Sequence, residues 1–307
     1  MMNFRKKLFI VGLVFVTWLV WSNKAFGNQF YITLENDLYH DTDRAYTHGT
    51  RVFDLIDYAP SWATNFWPDK DVKFGWGFAQ YMYTPSDISI AELIEDDRPY
   101  GGWLYIEFLL MARDDMFMDV VGIDIGVTGE EAGSDKTQEL VHKYTDSVTP
   151  RGWDNQIGTE IGVDLLYQKK YRWRYENVFD VVSQSGGSLG NIYTYVNAGT
   201  MVRFGYNIPD NFGALRMEPA ARNTSDGFYL FGGAEERYVL RNIFLDGNTF
   251  KDSHSVDKEE FVHDLYYGVG ISLGNFEIVF SDTYRSKEFK GQDKGNAFST
   301  LILSWKY

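Results

Sequence analysis

Segments in which apolar and polar positions alternate follow one another along most of the chain, each about ten residues long. A period of two is typical of β-strands whose two faces meet different surroundings. Because bacterial barrels contain an even number of strands, we expect one candidate to be a loop or two to merge. The thirteen candidates are Gln29–Leu34, Thr47–Asp57, Val72–Tyr83, Gly102–Met111, Val120–Thr128, Gly158–Gln168, Trp173–Val182, Ile192–Phe204, Gly227–Glu236, Val239–Asp246, Val262–Leu273, Asn275–Tyr284 and Ala297–Tyr307.

The last of these segments favours a membrane barrel over a water-soluble β-sandwich, which could show the same alternation. Leu301, Leu303, Trp305 and Tyr307 fall at every second position and end on an aromatic residue. This pattern resembles the terminal signature read by the outer-membrane barrel-insertion machinery. We therefore predict an all-β fold over residues 28–307, a transmembrane antiparallel β-barrel of outer-membrane type. It should have about 12 strands and no free edge, because lipid offers backbone groups no hydrogen bonds.

The first residues have the features of a signal peptide. Three basic residues, Arg5 to Lys7, precede the apolar run Leu8–Trp21, and the small residues Ala25 and Gly27 suit a signal peptidase. The apolar run is too short for a comfortable membrane-spanning helix, which needs about 20 residues. We expect residues 1–27 to be removed on export.

Charge and cysteine usage narrow the possible partners. The chain has 43 acidic and 29 basic residues, which gives a formal charge of -14. All charged residues within 1–27 are basic, so removing this segment makes the remaining chain more negative. This balance argues against nucleic acid as a partner, and an anionic substrate would need a metal ion or local basic groups. The chain has no cysteine, which excludes both disulfides and a lipoprotein anchor.

One polar stretch, within residues 30–51, is a candidate cation site. Asn36, Asp37, Asp41 and Asp43 supply oxygen ligands of the kind that Ca²⁺ prefers, and predicted strands on either side would hold them in place. Asn and Asp are also the commonest turn residues, so the stretch could simply shape a loop.

A second polar region has the pattern of a helix, over residues 134–144. Gln138 and His142 stand four residues apart and therefore share a face. A neutral imidazole can accept a proton from water, as ester hydrolysis requires, although an ordinary surface histidine would fit the pattern too. The sequence has no Gly-x-Ser-x-Gly elbow, no His-Glu-x-x-His zinc motif and no glycine-rich phosphate loop. Because no motif for a serine nucleophile is present, a mechanism in which water attacks the ester is favoured over one in which serine attacks it.

Six short motifs, in order, resemble the lipid A 3'-O-deacylase family of outer-membrane proteins. The resemblance extends from about Asn28 to Gln168 and continues more weakly to the carboxy terminus. The motifs are Glu35-Asn36-Asp37, Thr42-Asp43-Arg44-x-Tyr46-Thr47-x-Gly49-x-Arg51, Tyr83-Thr84-Pro85, Asp97-Arg98-Pro99-Tyr100-x-Gly102-Trp103-Leu104-Tyr105, Gln138-x-x-x-His142 and Gly152-Trp153-Asp154-x-Gln156.

The resemblance implies a 12-stranded, Ca²⁺-dependent esterase that releases the 3'-linked acyloxyacyl group of lipid A, with its active site toward the outer leaflet. By motif, His142 corresponds to the general base and Asp37 to a Ca²⁺ ligand. Asn36 and Thr47 correspond to polar residues of the site, and Gln138 would either orient the imidazole or face solvent. The resemblance makes Asp41 and Asp43 less probable ligands. The implied partners are lipid A or lipopolysaccharide, the outer membrane, and the insertion machinery during biogenesis.

Two other functions fit the sequence. One is an outer-membrane phospholipase with a serine nucleophile, which a serine-directed covalent inhibitor would inactivate. The other is a non-enzymatic barrel, either a channel or an adhesin, in which the acidic stretch only shapes a loop.

Overall fold

The structure is a computed structural model that describes residues 29–37, 45–145, 147–213 and 225–307. The predicted signal peptide, residues 1–27, lies outside the described residues, as do Asp41 and Asp43 of the acidic stretch.

Twelve strands in the described part of the chain form one closed antiparallel barrel, which confirms the predicted fold class. Each strand pairs with its neighbours in sequence, and β1 closes the barrel against β12, from Gln29 opposite Lys306 to Asn36 opposite Ser299. The strands are β1 Gln29–Asn36, β2 Ala45–Ile56, β3 Asp71–Thr84, β4 Gly101–Arg113, β5 Phe117–Thr128, β6 Ile161–Tyr175, β7 Phe179–Gly190, β8 Tyr193–Tyr206, β9 Gly227–Asn242, β10 Phe261–Leu273, β11 Phe276–Arg285 and β12 Asn296–Lys306.

The thirteen candidate strands reduce to twelve by a merger. Candidates Gly227–Glu236 and Val239–Asp246 form the single strand β9, and the final residues of the second candidate are a short helix, Ile243–Asp246. Candidate Trp173–Val182 was wrong, because the turn between β6 and β7 lies in its middle. Glu176 in that turn adopts a positive φ of 48°, which a strand does not use.

The barrel wall has an apolar outer face and a polar inner face. Along β6, Ile161, Val163 and Leu165 are exposed. Asp164, which lies between Val163 and Leu165, and Lys170, further along the strand, are buried. An exposed apolar belt with buried charges is the arrangement expected of a barrel in lipid. Inside, many of the charges are paired, as in the bidentate contacts of Arg203 with Asp180 and of Arg285 with Asp264.

The connections at the two ends of the barrel differ. One end, here called the site rim, is formed by the last residues of odd-numbered strands and the first residues of even-numbered strands. The first residue of β1, Gln29, and the last residue of β12, Lys306, lie opposite each other at the other end. The site rim carries the connections 85–100, 129–160 and 243–260.

Helices are few and short in the described ranges. The α-helices are Ser61–Phe66, Ser134–Thr145 and Ile243–Asp246, and the 3₁₀ helices are Gly129–Ala132 and Trp153–Asn155. Within these ranges, no helix combines the length and apolar character needed to cross a bilayer.

Candidate functional site at the barrel rim

A β-bulge in β2 places Thr47. Tyr46 lies opposite Tyr83 and His48 lies opposite Met82, so Thr47 is an extra residue that is not paired with any residue of β3. A bulge of this kind re-aims a side chain, and Thr47 is buried with its Oγ1 2.6 Å from Thr84 Oγ1 at the end of β3. Asn36, the last residue of β1, donates from Nδ2 to the Thr47 carbonyl oxygen at 3.1 Å. Three strand ends thus meet around Thr47.

Asp37 follows β1 directly and is fully buried, with none of its surface exposed. Its carboxylate therefore lies at the same strand end as the Asn36–Thr47 contact. Across the parts of the chain that the structure describes, no three His, Asp or Glu side chains converge as a metal site would require. A hard cation held at Asp37 would therefore need neutral oxygen ligands, such as backbone carbonyls, which Ca²⁺ accepts.

The predicted helix is present, and we call Ser134–Thr145 the site helix. Its buried residues include Ser134, Gln138 and His142, which recur every four positions and so form one face. The helix contacts β3 and β4. Gly102 in β4 allows the close approach, because a Cβ atom there would clash with Ser134 Oγ.

Gln138 is buried and does not face solvent. Its Oε1 accepts a hydrogen bond from the Trp153 indole nitrogen at 2.8 Å. Trp153 in turn packs on Tyr100, with ring centroids 4.8 Å apart, in a buried cluster that includes Met82 of β3. The amide of Gln138 thus connects the site helix to the barrel wall.

His142 is buried, and its Nδ1 is hydrogen-bonded to the backbone carbonyl oxygen of Val148. A carbonyl oxygen can only accept, so Nδ1 carries a proton, and in the neutral imidazole Nε2 holds the lone pair. This is the tautomer in which Nε2 can act as a base. The bond also restrains the rotation of the ring.

The end of β3 joins the two groups of predicted residues. Thr84 bonds to Thr47, while Met82, two residues earlier, packs in the cluster of Trp153 that bonds Gln138. Sequence reasoning did not assign roles to Thr84 or Trp153. Both lie inside quoted motifs, which is the signal that could have identified them.

Two buried carboxylates hold the rim loops together. Burial alone would raise the pKa of Glu160, but hydrogen bonds from Thr249, Asn191 and Asn248 outweigh it and lower the pKa below its ordinary value. Burial likewise opposes ionisation of Glu288, and the guanidinium of Arg98, which contacts it at 3.4 Å, contributes most to lowering its pKa. These bonds link the loops that surround the site helix and the end of β3.

Comparisons with known proteins agree with this architecture. The family model described as outer membrane protein LpxR matches residues 8–307. Among solved structures, LpxR from Salmonella typhimurium matches with a TM-score of 0.77 and 21% identity, covering 91% of this chain and 100% of that chain. The beta domain of the Bordetella autotransporter BrkA matches with a TM-score of 0.44 and 12% identity, over 92% of this chain and 99% of that chain. No match is found among curated proteins.

The fold and the rim residues define an outer-membrane barrel with a buried histidine and a buried aspartate at one end. The chain belongs to the LpxR family of outer membrane proteins. This confirms the predicted membership of the lipid A 3'-O-deacylase family and supports a location in the outer membrane. At 21% identity, the likeness to the Salmonella structure shows the fold alone.

Proposed function

We propose that this protein hydrolyses the ester that links the 3'-acyloxyacyl group to lipid A, with water as the nucleophile and His142 as the general base. The observation that carries the proposal is the bond from His142 Nδ1 to the Val148 carbonyl. It leaves Nε2 as the basic nitrogen, on a buried helix face that packs against the strand ends. A general base needs a nitrogen lone pair to accept a proton, and this tautomer provides one on Nε2.

The remaining predicted residues have positioning roles in this proposal. Asn36 and Thr47 fix the bulged backbone beside Asp37 through the bond between Asn36 Nδ2 and the Thr47 carbonyl. Gln138 holds the site helix through Trp153 rather than contacting the reacting ester. His142 would take a proton from the water that attacks the ester carbonyl. It would return this proton to the leaving oxygen as the acyl C–O bond breaks, so that the products are a carboxylic acid and a neutral alcohol.

Calcium is part of the proposal, and Asp37 is the residue that would hold it. A buried carboxylate suits a hard cation, and neutral oxygens would have to complete the ligand set. When bound, Ca²⁺ supplies a Lewis acid for the ester carbonyl and for the negative charge that develops on its oxygen. Neutralisation by a cation also agrees with the acidic composition of the chain, since lipid A is anionic and segment 86–90 contains no basic residue.

We place the site rim at the outer leaflet. Long connections are typical of the outer ends of bacterial barrels, and the site rim carries residues 85–100, 129–160 and 243–260. With this orientation, lipid A of the outer leaflet would reach the site helix from the side of the barrel.

The non-enzymatic alternative of an open channel is less consistent with the lumen. Across the described residues, the inner face carries many ion pairs and buried aromatic rings. At the end opposite the site rim, Phe212 is buried against the guanidiniums of Arg113 and Arg172, whose carbon atoms lie 5.1 and 4.8 Å from its ring centre. A channel needs a continuous polar path, and aromatic packing of this kind in the lumen opposes one.

A serine-directed covalent inhibitor distinguishes the proposed mechanism from the alternative, a phospholipase with a serine nucleophile. The purified protein is treated with a serine-directed covalent inhibitor and then supplied with lipid A. Retained release of the acyloxyacyl group supports attack by water. Stoichiometric labelling with loss of activity would support the serine enzyme.

A further inference from the structure

Three acidic residues lie side by side on the inner wall of the barrel. Glu107 of β4 is directly opposite Asp124 of β5, and Asp124 is directly opposite Asp164 of β6. Like charges at facing positions of neighbouring strands destabilise a sheet. The row therefore requires compensation from its surroundings.

Two of the three acids have clear partners. Glu107 receives hydrogen bonds from two nitrogens of Arg51, one of them at 2.8 Å. Asp164 accepts from the backbone nitrogens of Ile192 and Tyr193 at 3.1 to 3.2 Å.

The middle acid, Asp124, differs from its neighbours. Only 8% of its surface is exposed, and within the described ranges its Oδ1 has no hydrogen-bond partner. A buried carboxylate without a partner is costly, because its desolvation is not repaid. A proton, water or a cation must therefore compensate this carboxylate.

Asp124 lines a lumen cavity of about 150 Å³ together with Glu107, Asp164 and Ser188. Ser188 is 6% exposed, and its Oγ also lacks a hydrogen-bond partner within the described part of the chain. Its lining combines charged side chains with aromatic and aliphatic ones, and a cavity of this size can hold several water molecules beside the charged groups. Carboxylates outnumber guanidiniums among the residues that line it, so the space favours positive charge.

We propose that this cavity binds a hydrated divalent cation, Mg²⁺ or Ca²⁺, at Asp124 and Ser188. No three acidic or histidine side chains converge at metal distance in the described ranges, so water must supply most of the ligands. Binding through one or two carboxylates with several retained waters is the usual mode of Mg²⁺. The cation offsets the charge of the acidic row and links β5 to β7. The site is distinct from Asp37, which does not line the cavity, and it does not depend on the proposed function.

Terbium luminescence tests the proposal. Tb³⁺ replaces hard divalent cations, and the aromatic rings of Trp103 and Tyr105 in the cavity lining can sensitise its emission. The full chain is folded in detergent with Asp37→Ala, which removes the rim ligand. We expect saturable emission that Mg²⁺ and Ca²⁺ compete away. Adding Asp124→Asn should weaken Tb³⁺ binding at least tenfold, and Ser188→Ala should weaken it several-fold.

Asp119→Asn is the matched control. Asp119 lies on the same strand as Asp124 but pairs with Lys70 at 2.5 Å and does not line the cavity. Its substitution should leave Tb³⁺ binding unchanged. Heat-modifiable gel mobility verifies the folding of every variant. If Asp124→Asn does not fold, Tb³⁺ binding by Ser188→Ala tests the proposal.

Two results would overturn the proposal. One is the absence of saturable, competable emission in the Asp37→Ala protein. The other is emission that persists unchanged in the folded Asp124→Asn or Ser188→Ala variant. If Asp124 is a neutral acid instead, divalent cations will not raise the melting temperature of the Asp37→Ala protein, and Asn at position 124 will be tolerated without loss of stability.

Discussion

The hydrogen bond between Trp153 and Gln138 positions the site helix, and replacing Trp153 by Phe removes it. Phe keeps an aromatic ring against Tyr100 but has no indole N–H to donate to Gln138 Oε1, 2.8 Å away. Because Gln138 is buried, water does not readily replace this donor. An unsatisfied buried acceptor costs about 1–3 kcal/mol. If about 1–2 kcal/mol of this weakens helix docking, the docked population relative to the undocked one falls about 5- to 30-fold. We expect a loss of activity of up to that size.

The assay is the initial rate of acyloxyacyl release from purified lipid A, followed by mass spectrometry. Gln138→Leu should reduce the rate to a similar extent, and the double variant should be little worse than either single variant, because both remove the same bond. Trp173→Phe, on the exposed face of β6, is the matched control and should keep the wild-type rate. The reasoning fails if Gln138→Leu abolishes release while Trp153→Phe leaves it intact, since Gln138 would then act on the reaction itself.

Three further predictions concern the bulge, the metal and the rim loops. Thr47→Val keeps the shape of the side chain but removes the hydroxyl bonded to Thr84, so release should fall about tenfold in a folded barrel; an unchanged rate would remove Thr47 from the site. Excess chelator should stop turnover, and added Ca²⁺ should restore it, whereas full activity in chelator would exclude the metal. The lowered pKa of Glu160 means that its contribution to stability is complete above the ordinary carboxyl pKa and is lost as pH falls through the folded value. Limited proteolysis of residues 243–260 should therefore increase on acidification, and Glu160→Gln should remove this pH dependence.

The alternation of apolar and polar residues was sufficient to predict most strands, because each strand has an apolar outer face and a polar inner face. Candidate Val262–Leu273 differs from β10 by a single residue. The alternation was less informative where the lumen carries charge. Arg237 separates two candidates that are one strand, because its guanidinium points inward to pair with Asp264. A buried ion pair between distant residues leaves no mark on a local hydrophobic pattern.

The site was predictable in part. Four-residue spacing correctly placed Gln138 and His142 on one helix face, and the family motifs identified the strand end at Asn36 and Asp37. Two features depend on contacts that no local pattern specifies. The Val148 carbonyl fixes the tautomer of His142, and the bulge at Thr47 depends on the register between β2 and β3. Roles for such residues require the three-dimensional arrangement.

The most direct test of the central claim is mass analysis of lipid A from cells that express the protein in a strain of known lipid A structure. We predict loss of the 3'-linked acyloxyacyl group with the wild type and with His263→Ala, which alters an exposed histidine on β10. We predict intact lipid A with His142→Ala and with Asp37→Ala, although both barrels remain folded by heat-modifiable mobility. Near-normal deacylation by the His142→Ala protein would contradict the proposed mechanism, and unmodified lipid A with the folded wild type would contradict the proposed activity.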